Sequence, residues 1–250
     1  MRQFAWLYVV GIMASVVLFG CKGGDGPQGP AGTALTGNMH GKVYAYDSFG
    51  NYLGVMSGVL VQVEGTSLAG TSDSLGAYVI AGVPTGTYTL LYSKAGYGTQ
   101  KWQQLQFIGR GDYYLNSMTI SGLPNFETST ATASISAGNL HVIGTVTGGS
   151  PPYQRRVIVY VGKTSSINPS VPASFVRYIN YYIPGSANNY DATTSISSLM
   201  SNYGFVSGET IYVVAYSGSY YNFSYYDYAT EKNIEPSFGT VARASSVVIP

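Results

Sequence analysis

Apolar side chains recur at every second position in run after run of this chain. The runs are short, and turn formers break them. Gly41–Asp47 alternates and meets Ser48-Phe49-Gly50-Asn51. Val59, Val61 and Val63 share one face. Thr71–Ile80 turns at Asp73 and Gly76 and then aims Tyr78 and Ile80 the same way. After the Pro84–Gly86 turn, Tyr88, Leu90 and Tyr92 alternate, and further strands are expected near 103–108 and 112–120. Past a linker-like Ser121–Pro124, strands are expected at 128–136, 140–146, 156–161, 175–183, 211–216 and 245–250. Period two, short runs and no helical period specify an all-β fold of sandwich type. Arg156–Val161 is nearly all apolar, as expected of a strand covered on both faces.

Composition narrows the function. Charged residues make up 9% of the 250 residues and the formal net charge is +1, well below the usual quarter. No basic stripe exists to neutralise phosphates, which excludes nucleic acid as a partner. A hydrophobic share of 45% is enough for a packed core. The chain has 1 cysteine, so no internal disulfide can brace it.

That cysteine closes an N-terminal address. Residues 1–20 carry Arg2, then an uncharged apolar run from Phe4 to Phe19, then Gly20, and read as a signal peptide. Leu18-Phe19-Gly20-Cys21 resembles the lipobox of bacterial lipoproteins, with Phe19 larger than the residue usual there. The resemblance implies cleavage before Cys21 and acylation of its sulfur, hence a membrane partner through covalent lipid. Two or three chains, at about 0.8 kcal/mol per buried methylene, hold far better than one. Lys22 is not the aspartate of inner-membrane retention, so the outer membrane is expected, on either its periplasmic face or the cell surface.

Gly23, Gly26, Gly29 and Gly32 recur every third residue, with Pro27 and Pro30 between them. The spacing is collagen-like, but the tract is too short for a stable triple helix. Residues 21–37 therefore read as lipid anchor and stiff tether. Similar tracts follow the cysteine in Bacteroidetes-type lipoproteins.

Residues 38–121 resemble the carboxypeptidase regulatory-like family, close to the transthyretin and Cna-B sandwiches. Gly41 and Val43, Val61 and Val63, Thr71, Asp73, Gly76, Tyr78 and Ile80 fit its pattern. Val83, Pro84, Gly86, Tyr88, Leu90, Lys94, Gly96 and Tyr97 continue it, with Ser72 as an extra residue. The resemblance implies a structural module: Tyr78, Ile80, Tyr88 and Leu90 in the core, Asp73, Gly76 and Gly86 at turns, and no peptidase chemistry. In residues 122–250, Gly208–Tyr216 resembles a strand of fibronectin type III-like sandwiches. That implies Tyr212 as a corner tyrosine bonding back to the chain, Leu199 as a core leucine, and an insertion at Met200–Ser207. The expected architecture is two Ig-like or prealbumin-like sandwich domains after signal peptide and tether, with one sandwich spanning both halves as the competing arrangement.

Catalytic constellations are hard to assemble. The 2 histidines, His40 and His141, fall in different predicted domains. No serine-hydrolase elbow, zinc cluster or flagged carboxylate pair occurs. The chain reads as a non-enzyme with no metal and no cofactor, an unrecognised hydrolase being the remote alternative. Asp73, with Asp47 nearby, is read as an Asx-turn residue rather than a calcium ligand.

Ser219–Tyr228 is the strongest functional signal, with Tyr220, Tyr221, Phe223, Tyr225, Tyr226 and Tyr228 in ten residues. As an extended strand it would put Tyr220, Tyr226 and Tyr228 on one face and Tyr221, Phe223 and Tyr225 on the other. Tyr178, Tyr181 and Tyr182 add to this set. The rings either pack between sheets or form a candidate ligand platform, flat and apolar with polar tips. The expected role is a structural, adhesive or protein-binding lipoprotein of the cell envelope; the alternative is a carbohydrate-binding lipoprotein.

Overall fold

The computed structural model describes residues 35–149, 153–221 and 223–250. The lipobox residues Leu18, Phe19, Gly20 and Cys21 and most of the tether lie outside them. Nearly all the described regular structure is strand, which makes the protein all-β.

The N-terminal sandwich is built on β1 (Thr36–Tyr46). β1 pairs antiparallel with β4 (Ala77–Pro84) and parallel with β7 (Gly111–Tyr114) and β8 (Met118–Ser121). The facing sheet runs in the order β3 (Ala69–Thr71), β2 (Leu60–Val63), β5 (Gly86–Ser93), β6 (Gln100–Phe107). Alternation decides what lies between them: Met39, Val43, Val61, Ile80, Leu90 and Phe107 all lose their contact with water. Tyr78 and Tyr92 cross the core to bond hydroxyl to hydroxyl at 2.9 Å. Gly41 makes room for that pair, since a Cβ there would lie 2.3 Å from the Tyr78 hydroxyl.

Asp73 Oδ1 accepts the backbone N–H groups of Leu75 and Ala77, both at 2.9 Å. Gly76 takes φ +83°, and a Cβ on it would meet Val43 O at 2.1 Å. Gly86 differs from expectation. It opens β5 without a left-handed conformation, and its missing side chain instead leaves space for the Tyr88 ring, 2.8 Å from where a Cβ would stand. The extra residue, Ser72, is buried. Its Oγ accepts Val59 N at 2.9 Å and donates to Met56 O at 2.6 Å, stapling the loop before β2.

The C-terminal sandwich packs the sheet β10 (Thr132–Ser136), β11 (Asn139–Gly148), β14 (Asn189–Ser195) against the sheet β13 (Arg177–Ile183), β12 (Arg155–Gly162), β15 (Thr210–Gly218), β18 (Arg243–Val248). β9 (Phe126–Thr128) extends β11. Val142, Val157, Val159, Val161, Tyr190 and Val213 fill the space between the sheets. Every residue of β12 is buried, because its outer face carries a second apolar layer with Ile158, Tyr160, Phe175, Val214 and Ile234. The cover for that face includes the hairpin of β16 (Tyr225–Asp227) and β17 (Lys232–Ile234).

A helix, α1 (Ile196–Tyr203), occupies much of the insertion expected at Met200–Ser207. Ser195 Oγ caps it by accepting Ser198 N at 3.2 Å, and Gly204 ends it at φ 66°. Leu199 is buried on this helix. Tyr212 is no corner tyrosine: it lies against the outer layer of the sheet, and in this sandwich Tyr190 makes a hydroxyl-to-backbone bond, to Thr130 O at 2.6 Å.

The linker-like Ser121–Pro124 is pinned between the sandwiches. Ser121 O accepts from Gly98 N at 3.1 Å and from Ser237 Oγ at 3.1 Å, and Gly122 N donates to Tyr46 O at 2.9 Å. All the described residues fall in one compact unit.

Candidate functional site

The Tyr-rich segment is not one extended strand. Among its described residues only Tyr225–Asp227 is in β conformation, and the six aromatic residues separate into two groups.

The first group joins the sandwiches. The chain leaves β15, and Tyr220 N donates to Ser48 O at 2.8 Å. Tyr220 meets Tyr182 edge-on at 5.8 Å and Tyr221 at 5.2 Å. Tyr221 meets Tyr46 edge-on at 5.3 Å, and Phe223 lies 5.7 Å from Tyr46. Edge-to-face contacts of this kind add about 0.5–1.5 kcal/mol each beyond area burial. Asp47 shapes the other side of the joint, its Oδ1 accepting Phe49 N at 2.9 Å and Asn51 N at 2.8 Å. Phe49 then stacks on Tyr153 at 5.0 Å. These rings hold the two halves together, leaving Tyr221 with 39% exposure.

The second group sits on the hairpin. Tyr225 turns inward and is half-buried, and burial raises its pKa. Tyr226 and Tyr228 turn outward with 43% and 49% exposure, their rings 5.0 Å apart and nearly perpendicular. The hairpin is tied to β6. Gln100 Nε2 donates to Phe223 O, and Tyr228 N donates to Gln103 Oε1 at 3.2 Å. A bulge makes this reach available: Tyr88 faces Leu105 and Leu90 faces Trp102, so Thr89 opposes both Gln103 and Gln104, and Gln104 takes φ 55°. The outward rings border an open cleft of about 260 Å³ that Trp102 and Met118 also line.

Beneath the hairpin, charge is buried. Arg156 on β12 and Glu235 after β17 have no exposed side-chain surface, with Nη2 2.8 Å from Oε2. The contact is close in distance but off the hydrogen-bond axis, so the three guanidinium nitrogens and the nearby Tyr160 hydroxyl have no hydrogen-bond partner among the described residues. Burial raises the Glu235 pKa, and Arg156 pulls it back only in part. The pair fixes the segment that follows the hairpin onto the sheet.

No protein-family model matches the chain, and no curated protein matches it. Solved structures similar to it include three from different bacteria. A candidate carbohydrate-binding protein from Bacteroides uniformis is 10% identical at TM-score 0.34, covering 86% of this chain and 100% of that one. A DUF3823-family protein from Parabacteroides merdae is 13% identical at TM-score 0.29, over 74% of this chain and 91% of that one. A type II cohesin–X-dockerin complex from Acetivibrio cellulolyticus is 21% identical at TM-score 0.29, over 34% of this chain and 57% of that one. Likeness at these scores carries no argument about ligand or partner.

The two histidines remain far apart in the fold, each beside one aspartate. His40 Nε2 lies 3.1 Å from Asp112 Oδ1 and its ring stacks on Tyr114 at 5.0 Å. His141 Nδ1 lies 3.1 Å from Asp191. Hydrogen bonds from Asn38 and His40 hold the Asp112 carboxyl below its usual range. Among the described residues no three His, Cys, Asp or Glu side chains converge. The sequence could mark the Tyr-rich segment but not its division: Trp102, Gln103 and the Arg156–Glu235 pair join it only through the fold.

Proposed function

We propose that this chain is a lipid-anchored protein of the cell envelope, tethered through Cys21, that acts by binding rather than by catalysis. The exposed half of its Tyr-rich segment is the binding surface. The observation that supports this reading is the outward Tyr226–Tyr228 pair. Two large rings left near half exposed, on a hairpin held by side-chain bonds and a buried ion pair, are rigid anchors of the kind that dominate recognition. The partner is a protein or matrix component. A glycan is the second reading, favoured by the recess beside the rings, since a sugar enters a cleft that a flat protein surface bridges.

Two measurements test the reading separately. Palmitate labelling should be present in the wild type and lost in Cys21→Ser; label in neither defeats the anchor. Affinity capture from intact envelopes should recover a partner with the wild type and lose it with the double variant Tyr226→Ala/Tyr228→Ala. Equal recovery by the two proteins removes the surface from consideration.

A further inference from the structure

The cleft beside Tyr226 and Tyr228 does not end at the hairpin. Lys101 and Tyr225 line it, and both also line a second open cleft of about 390 Å³ on the other side. The second cleft runs between Tyr97–Thr99 of the N-terminal sandwich, the loop at Pro169–Ser170, and Phe238. The two recesses share this pair of residues in their walls, so they lie side by side along one surface. Their walls combine two kinds of group. Flat rings stand along them: Trp102, Tyr226 and Tyr228 in one, Tyr97 and Phe238 in the other, Tyr225 in both. Among the described residues, the hydroxyls of Thr99, Ser170, Ser224, Tyr226 and Tyr228 make no hydrogen bond, leaving donors and acceptors for a ligand.

Charge along the two recesses is already neutralised. Lys101 Nζ is held 2.9 Å from Glu64 Oε1, and Glu235 is buried against Arg156. An ionic ligand would have to compete with these internal partners. A neutral ligand that offers apolar C–H faces to rings and hydroxyls to hydroxyls meets no such cost. The shape is extended and recessed, whereas a standard protein contact covers about 800 Å² per partner around a central patch.

We infer that the two recesses together bind a linear, neutral oligosaccharide, with one subsite at Trp102, Tyr226 and Tyr228 and a second at Tyr97 and Phe238, joined across Lys101 and Tyr225. This rests on the second reading given above, a glycan at the Tyr-rich surface, and specifies the class of sugar. The two subsites make affinity depend on chain length, because a short sugar fills one recess and a longer one spans both.

The test uses the full-length lipoprotein in a detergent without a sugar headgroup. Gluco-, xylo- and manno-oligosaccharides from disaccharide to hexasaccharide are titrated by calorimetry. At least one series should bind, with the hexasaccharide about tenfold or more tighter than the disaccharide, a gain of one moderate contact set. Tyr228→Ala should weaken every length, and Tyr97→Leu, which keeps bulk but loses the flat ring, should weaken only the long chains. Thermal melts matching the wild type show that the variants are folded. Length-independent affinity, an unaffected Tyr97→Leu protein, or no binding by any series overturns the inference. If no sugar binds while Tyr226→Ala/Tyr228→Ala still loses an envelope partner, the binding role stands and only the ligand assignment falls. If both tests fail, both fall.

Discussion

Removing one member of the Arg156–Glu235 pair should cost far more than removing both. Neither side chain reaches solvent, and the guanidinium nitrogens have no hydrogen-bond partner to fall back on among the described residues. Replacing Glu235 by Leu therefore leaves a buried, uncompensated cation, at a cost of about 3–5 kcal/mol. Against a total stability of about 5–15 kcal/mol this is a large fraction. At about 2–4 °C per kcal/mol for a body of this size, the melting temperature should fall by about 6–20 °C. The double variant Arg156→Met/Glu235→Leu removes both charges and fills the space with apolar atoms beside Ile158, Tyr160 and Ile234. It should recover most of the loss. Urea unfolding of the four proteins of the cycle, with coincident transitions by two probes, supplies the numbers. A Glu235→Leu protein within about 1 kcal/mol of the wild type, or two single losses that simply add in the double variant, would refute a buried uncompensated charge.

Glu235 also predicts a pH dependence. Burial raises its folded pKa above the usual carboxylate range, so the folded state holds the proton more tightly than the unfolded one. Stability should fall as pH rises from the unfolded glutamate range through the folded pKa, and Glu235→Gln should flatten that slope in urea titrations. Gly50→Ala should destabilise by about 1–3 kcal/mol in the same assay, because Gly50 takes φ +88° and a Cβ there would stand 2.7 Å from the Tyr220 ring. Ser195→Ala, which removes the cap of α1, should cost about 1 kcal/mol by urea unfolding. Tyr226→Ala, on an exposed ring, should shift stability by no more than about 0.5 kcal/mol while weakening ligand capture.

Local chemistry was enough to specify much of this protein. Period-two runs marked β1, β2, β4, β5 and β6, because a half-buried sheet tolerates only one phase of apolar side chains. The unbroken apolar run of β12 announced burial on both faces for the same reason. Where the signal lies in few residues it was weaker. α1 is short, its marks are only Ser195 and Gly204, and β14 reads Asn189–Ser195 with little apolar content to show its phase. Tertiary structure alone decided the candidate site. A run of six aromatic residues has no intrinsic inside or outside, since each ring packs equally well on a sheet or against another ring. What settled the matter was distant in sequence: Tyr46 and Tyr182 took up Tyr221 and Tyr220, while a bulge in β6 and a buried charge pair held the hairpin so that Tyr226 and Tyr228 face outward. Contacts between residues a hundred positions apart leave no mark in a local pattern, and the paired recesses are made of nothing else.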